Sequence, residues 1–191
     1  MSSKDLMAAR FIPDLIQAGI ASLKIEGRMK SAYYIATLIK TYRLLIDEVY
    51  EKGNLSEERL LWYYQELAKA ENRPTAIGFY EGQPLPQAQL YGVNGAGVTQ
   101  EFIAYVLAYD ADTQIATLGV RNNFKPFIEA EVFGPHITTT RFTFAELYDK
   151  DGKAMEVAKT PMQIITAKVP CVMEKDAMIR KVMKKDRSAI Y

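Results

Sequence analysis

The sequence predicts an α+β fold in two parts: a mostly helical N-terminal portion and a small C-terminal antiparallel β-barrel. Three observations lead there. Apolar residues recur at helical spacing up to about residue 70. Residues 74–100, "PTAIGFYEGQPLPQAQLYGVNGAGVTQ", concentrate glycine and proline without sustained periodicity and read as a connector. From residue 101 the apolar residues alternate as in strands. The expected division is therefore 1–74, a linker at 75–100, and 101–191.

Taken in order, "FIPDLIQAGI" reads as a short helix with Pro13 in its first turn and Gly19 at its stop, where positive φ is wanted. "ASLKI" (21–25) is a short strand candidate. Ser31 then caps a helix whose apolar positions are Ala32, Ile35, Ala36, Ile39, Tyr42, Ile46 and Val49, ended by "KGN" at 52–54. Ser56 caps another, through Leu60, Leu61, Tyr64 and Leu67 to about Ala70. In the connector, "GVNGAG" has no strand leading in and no helix leading out, as a phosphate-cradling loop requires.

Six strands are expected beyond the connector. "EFIAYVLAYD" and "QIATLGV" flank the turn "ADT" as a hairpin. "FIEAEVFGP" alternates, with Phe127, Glu129 and Glu131 on one face and Ile128, Ala130 and Val132 on the other. "TRFTFAELYD" precedes the turn "KDGK", and "MQIITAKV" and "AMIRKV" complete a set that fits a small closed barrel without exposed edges.

Composition bounds the chemistry. A net charge of +1 over 191 residues exerts no global pull toward nucleic acid or membrane, so electrostatic recognition needs a local patch. The basic end, Lys175, Arg180, Lys181, Lys184, Lys185 and Arg187 against Asp176 and Asp186, reads as a solvated tail. One cysteine, Cys171, excludes an internal disulfide and an all-cysteine metal or cluster site, and fits a reducing, cytoplasmic setting. No charged-then-apolar leader and no membrane-length apolar run is seen, so no membrane partner is expected. A single histidine, His136, excludes paired-histidine zinc motifs. Cys171 has no sequence sign of an activating base, so both residues read as structural and no catalytic residue is assigned.

The charges in "SLKIEGRMKS" (22–31) stand apart. Alternation puts Ser22, Lys24 and Glu26 on one side and Leu23 and Ile25 on the other, so the lysine and glutamate would meet at a strand's carboxyl end. α/β folds build sites at such ends. Gly27 frees the backbone for the turn, and Arg28 offers a planar cation for carboxylate or phosphate. Lys24, Glu26 and Arg28 are therefore candidate substrate-binding residues; a structural ion-pair cluster at a strand–helix junction is the equal alternative.

"SKDLMAARFIPDLIQAGIASLKIEGRMKSAYYIATLIKTYR" closely resembles the segment near the end of the catalytic domain of the collagenase-like peptidase U32 family. "GFYEGQP", "VFGP", "ELYDKDG" and "AKTPMQII" resemble that family's C-terminal β-barrel region. The resemblance implies a (β/α)-barrel catalytic domain of which the N-terminal part is the last fragment. It also implies an upstream cysteine signature that in related members holds an iron–sulfur cluster. With one cysteine elsewhere, this chain is expected to hold no cofactor itself, although the complete family protein could carry such a cluster. An eight-stranded α/β barrel needs about 250 residues, so the first 75 cannot close one. An upstream catalytic domain or partner chain is expected, with self-association through the uncovered helical faces as a further expectation.

The same resemblance implies three functional readings. Some relatives look like RNA hydroxylation factors, acting with prephenate on the wobble uridine of tRNA or on a cytidine of large-subunit rRNA; others take part in oxygen-independent ubiquinone hydroxylation. On this reading the barrel is an RNA-docking module and the chain is not active alone. The second is part of a collagenase-like peptidase whose barrel holds protein substrate, and the third a structural or assembly domain. Small barrels bind nucleic acid through aromatic faces ringed by cations. Here Phe124, Phe127, Phe133, Phe142, Phe144 and Tyr148 are available with Arg121, Lys125 and Arg141. Phe142 and Phe144 share a face and read as core. Phe124, in a turn, is the surface candidate, so Arg121, Phe124 and Lys125 form the expected RNA-binding set.

Overall fold

The computed structural model describes residues 2–70, 73–91 and 101–182. The chain divides into two compact units, 1–99 and 100–191.

The first unit begins with two short strands, β1 (Ser2–Ser3) and β2 (Asp5–Leu6), and a 3-10 turn at Ala9–Phe11. α1 (Ile12–Gln17) follows with Pro13 in its first turn, where a missing N–H costs nothing, and the chain leaves it through Gly19 at φ 76°. α2 (Ala32–Lys52) starts where Ser31 Oγ accepts from the Tyr34 amide at 3.2 Å; α3 (Glu57–Ala68) starts where Ser56 Oγ accepts from the Arg59 amide at 3.2 Å. Both caps match the sequence expectation.

The buried side of α2 matches in part: Val49 is buried, and Tyr42 and Ile46 pack against the core. Tyr33, Thr37, Thr41, Leu45 and Val49 are buried, an i+4 stripe, whereas Ile39 is half exposed. The expected stripe followed apolar residues, whereas Thr37 and Thr41 take two of the buried positions. Leu45 and Val49 meet Met7, Ile12, Tyr63 and Leu67 in the core.

The strand expected at 21–25 is not formed: residues 20–27 carry no regular secondary structure. A strand exists only through a neighbour's backbone groups. Here β2 pairs in parallel with β3 (Thr75–Ala76), and β1 pairs antiparallel with β4 (Gln89–Leu90). Among the described residues nothing pairs with 21–25. "GVNGAG" lies outside the described residues.

The second unit is one eight-stranded antiparallel sheet. Its strands are β5 (Glu101–Asp110), β6 (Ile115–Val120), β7 (Glu129–Phe133), β8 (Thr140–Thr143), β9 (Leu147–Tyr148), β10 (Ala154–Met155), β11 (Ile164–Lys168) and β12 (Met178–Lys181). Their order across the sheet is β10-β9-β11-β6-β5-β12-β7-β8. The expected single strand over "TRFTFAELYD" is broken into β8 and β9, and β10 forms after the "KDGK" turn, which raises the expected six strands to eight. Among the described residues β8 and β10 do not pair with each other. The predicted closed barrel is thus corrected to a curled sheet with two hydrogen-bonding edges.

Curvature comes from irregular register at Val106/Ala108 and at Ile179/Arg180, where an extra residue bends the strand. One face carries the core: Ile103, Val106, Leu118, Val132, Phe142, Phe144 and Ile179 among others. Turns are built by aspartates. Asp110 Oδ1 accepts from the Asp112 amide at 2.9 Å, and Asp149 Oδ1 accepts from the Asp151 and Lys153 amides, both at 2.9 Å.

Candidate functional site

In the helical unit, Lys24 Nζ meets Glu26 Oε2 at 3.3 Å, the expected contact, although the strand that was to produce it is not formed. Their side chains are 85% and 71% exposed, and an ion pair that open contributes little to stability. Arg28 is exposed in the following turn and stands apart from them. Gly27 does not have positive φ; it faces Ile35 of α2, whose Cδ1 methyl an added Cβ would displace.

Lys24 and Glu26 sit at the margin of a cavity of about 480 Å³ within this unit. More of its polar chemistry comes from residues that sequence reasoning missed. Lys30 Nζ bonds Asp5 Oδ2 at 2.5 Å and lies 4.7 Å from the centre of the Tyr34 ring. Tyr42 Oη accepts from the Ala8 amide at 3.2 Å. Burial, the largest influence, pushes the Tyr42 phenol up to about 12, so it remains protonated. The signal for Lys30 was present, one residue before the helix cap, but its partner lies 25 residues away.

Elsewhere in this unit, α2 and α3 are clasped by Glu48. Its carboxylate accepts from Tyr63 Oη at 2.5 Å, Arg59 Nε at 2.8 Å and Lys52 Nζ at 3.1 Å. Burial pushes this carboxyl up, but the three donors outweigh it and hold it down at about 2.

In the sheet unit, Arg121 and Lys125 are exposed in the loop after β6. The Arg121 guanidinium lies 4.7 Å from the Tyr105 ring centre, and its Nη1 contacts Met162 Sδ at 2.9 Å. Phe124 between them is 2% exposed, which corrects its reading as a surface aromatic. It bridges to Ala158 and packs 5.1 Å from Phe144, because the turn folds inward over the core. Phe127 is the exposed aromatic instead, at 67% and with φ 63°.

Arg180 also departs from expectation. It belongs to β12, is 1% exposed, and donates from Nε to Glu131 Oε2 at 2.9 Å, so it is no part of a solvated tail. Lys184, Lys185, Asp186 and Arg187 lie outside the described residues.

His136 is exposed, and its backbone amide donates to Glu174 Oε1 at 3.0 Å. Burial pushes the Cys171 thiol up, away from the thiolate a nucleophile needs. Among the described residues no group of three histidine, cysteine or acidic side chains could hold a metal, and no helix is long and apolar enough to cross a membrane.

Two family models match in series. Residues 1–90 match peptidase family U32, and residues 98–180 match the peptidase family U32 C-terminal domain. The chain belongs to peptidase family U32.

Among U32 relatives, the tRNA hydroxylation protein P1 of Bacillus subtilis is 41% identical over 181 residues, 95% of this chain and 43% of that protein. The tRNA hydroxylation protein P of Escherichia coli is 30% identical, covering 91% of this chain and 37% of its own length. A collagenase of Porphyromonas gingivalis is 36% identical over 104 residues, 54% of this chain and 24% of its own. The chain therefore spans less than half the length of these curated relatives. Among solved structures, the C-terminal domain of a putative U32 peptidase from Geobacillus thermoleovorans is 38% identical, with a TM-score of 0.43. The match covers 44% of this chain and 93% of that one.

Proposed function

We propose that this U32 chain serves tRNA hydroxylation, with the helical unit belonging to a larger catalytic assembly and the sheet unit docking RNA. One observation carries this reading: identity of 41% to a tRNA hydroxylation protein extends over 95% of the chain and so runs through both units. The match to a collagenase covers 54%. On this reading the chain contributes substrate docking, and the reacting groups come from the rest of the assembly.

The docking surface is the loop after β6. Arg121, held against Tyr105, and exposed Lys125 supply positive charge, while exposed Phe127 supplies a ring on which an unpaired base can stack. Phe124 drops out because it is core. Lys24, Glu26 and Arg28 remain the proposed contribution of the helical unit to the substrate site.

A collagenase-like reading stands second, favoured by the 36% identity to the P. gingivalis enzyme. A fluorescence titration with bulk tRNA, run beside gelatin peptides at low and moderate salt, separates the two. Any truncation control must begin beyond Val182, since β12 is an interior strand of the sheet. tRNA binding that weakens with salt and is lost in Arg121→Glu/Lys125→Glu supports RNA docking, because phosphate contacts release counterions. No tRNA binding at low salt, with saturable gelatin binding, transfers the proposal to the peptidase reading.

A further inference from the structure

The 480 Å³ cavity of the helical unit has a floor and a margin of opposite character. Ile12, Leu15, Leu38, Ile46 and Leu67 give it an apolar floor. Several of its polar groups are donors with spare capacity. Tyr42 Oη accepts one bond, from the Ala8 amide, and among the described residues nothing accepts its proton. Lys30 gives one of its three N–H groups to Asp5. Arg43 gives Nε and Nη2 to Asp47 and keeps Nη1.

The carboxylates along the same cavity are already engaged. Asp5 is held by Lys30 and, at 3.8 Å, by Arg73; Glu26 is held by Lys24. The lining carries three cations, Lys24, Lys30 and Arg43, against two carboxylates that are each already ion-paired, so a ligand amine would meet a net positive field, and a neutral apolar molecule would leave the Tyr42 proton unpaired in a desolvated place. A carboxylate carried on an apolar body answers both the floor and the donors. The volume lies within the range of small-molecule sites, roughly 300–1,000 Å³.

We propose that this cavity binds a small amphipathic carboxylate, its apolar body on the Ile12–Leu38–Ile46 floor and its carboxylate accepting from the Tyr42 hydroxyl, with Lys30 and Arg43 supplying the positive field. This site lies wholly within the helical unit and does not depend on RNA docking by the sheet.

The test is isothermal titration calorimetry of the whole chain with octanoate, octanol and octylamine as probes. Octanoate is expected to saturate one site and to bind at least roughly tenfold tighter than octanol, as a charge-assisted hydrogen bond requires. Tyr42→Phe should weaken octanoate roughly tenfold and leave octanol unchanged. Leu38→Trp, which fills the floor, should abolish binding of both. Equal binding of octanoate and octanol, or no saturable octanoate binding, overturns the proposal. So does a concentration-dependent dimer that octanoate does not disturb, since a second copy would then be the occupant. Should either variant fail to fold, the comparison of the three probes on the unaltered chain decides.

Discussion

Arg180 on β12 and Glu131 on β7 are cross-strand partners, and the guanidinium directs both Nε and Nη2 at Oε2 of the carboxylate, at 2.9 and 2.8 Å. Their side chains are 1% and 5% exposed, and Arg141 Nη2 reaches the other carboxylate oxygen at 3.1 Å. A charge pair so deeply desolvated is costly to break, because the survivor is left without its partner in a poor solvent. Arg180→Met alone should destabilise the sheet unit by about 3–5 kcal/mol, whereas Arg180→Met with Glu131→Leu should recover most of that loss. Urea denaturation of the two variants measures it; equal losses would show that the pair is not coupled.

Thr37 on α2 is buried, and its Oγ1 has no hydrogen-bond partner among the described residues. Replacing that hydroxyl with a methyl group keeps the shape and removes an unpaired polar atom. Thr37→Val is expected to raise stability by about 1 kcal/mol. A lower denaturation midpoint would show that the oxygen has a partner in solution.

The Glu48 clasp makes stability depend on pH at both extremes. The carboxyl is held at about 2 in the fold against an ordinary 4.5, so its contribution is full above about 4.5 and is lost as pH falls toward 2. Burial and then the Glu48 hydrogen bond push the Tyr63 phenol from 10.0 up to about 12, so its contribution is full below 10 and is lost as pH rises toward 12. Urea midpoints from pH 2 to 12 should fall on both sides, and Glu48→Gln should flatten the acid side. An unchanged acid slope in that variant would assign acid sensitivity to other carboxylates.

Gly119 on β6 lies under the Tyr105 ring, where a Cβ would strike the ring carbons and the hydroxyl. The ring in turn supports Arg121. Gly119→Ala should cost about 1–3 kcal/mol by overpacking and should weaken salt-dependent tRNA binding by displacing Tyr105 and Arg121 together. Tyr105→Leu/Gly119→Ala should regain stability without regaining RNA binding, which separates packing from presentation of the cation.

Cys171 is half-buried and its thiol is pushed up by burial. Alkylation by iodoacetamide at neutral pH should be slower in the folded chain than in urea, and Cys171→Ser should leave any binding activity intact. Alkylation faster than in the unfolded chain would reveal an activated thiol and favour a nucleophilic role.

The local features were legible because their causes are local. Ser31 and Ser56 cap their helices through amides three residues on, Pro13 and Gly19 bracket α1, and Asp110 and Asp149 close turns with atoms only two to four residues away. Alternation likewise placed Phe142 and Phe144 in the core, and Lys24 meets Glu26 as expected, although without the strand that was to bring them together. In the candidate site, that pair was readable but Lys30, Asp5 and Tyr42 were not, since their contacts span 25 and 34 residues.

By itself, then, the sequence determined where the capped helices and the aspartate turns begin, where the longer strands of the sheet unit lie, and the family to which the chain belongs. Only the tertiary structure decided that residues 20–27 form no strand, that among the described residues β8 and β10 do not pair, and that Phe124 is core. It also decided that Arg180 serves Glu131 from 49 residues away. Caps and turns are satisfied by neighbours along the chain, whereas strand pairing, burial and ion pairing are satisfied by whichever distant groups the fold delivers.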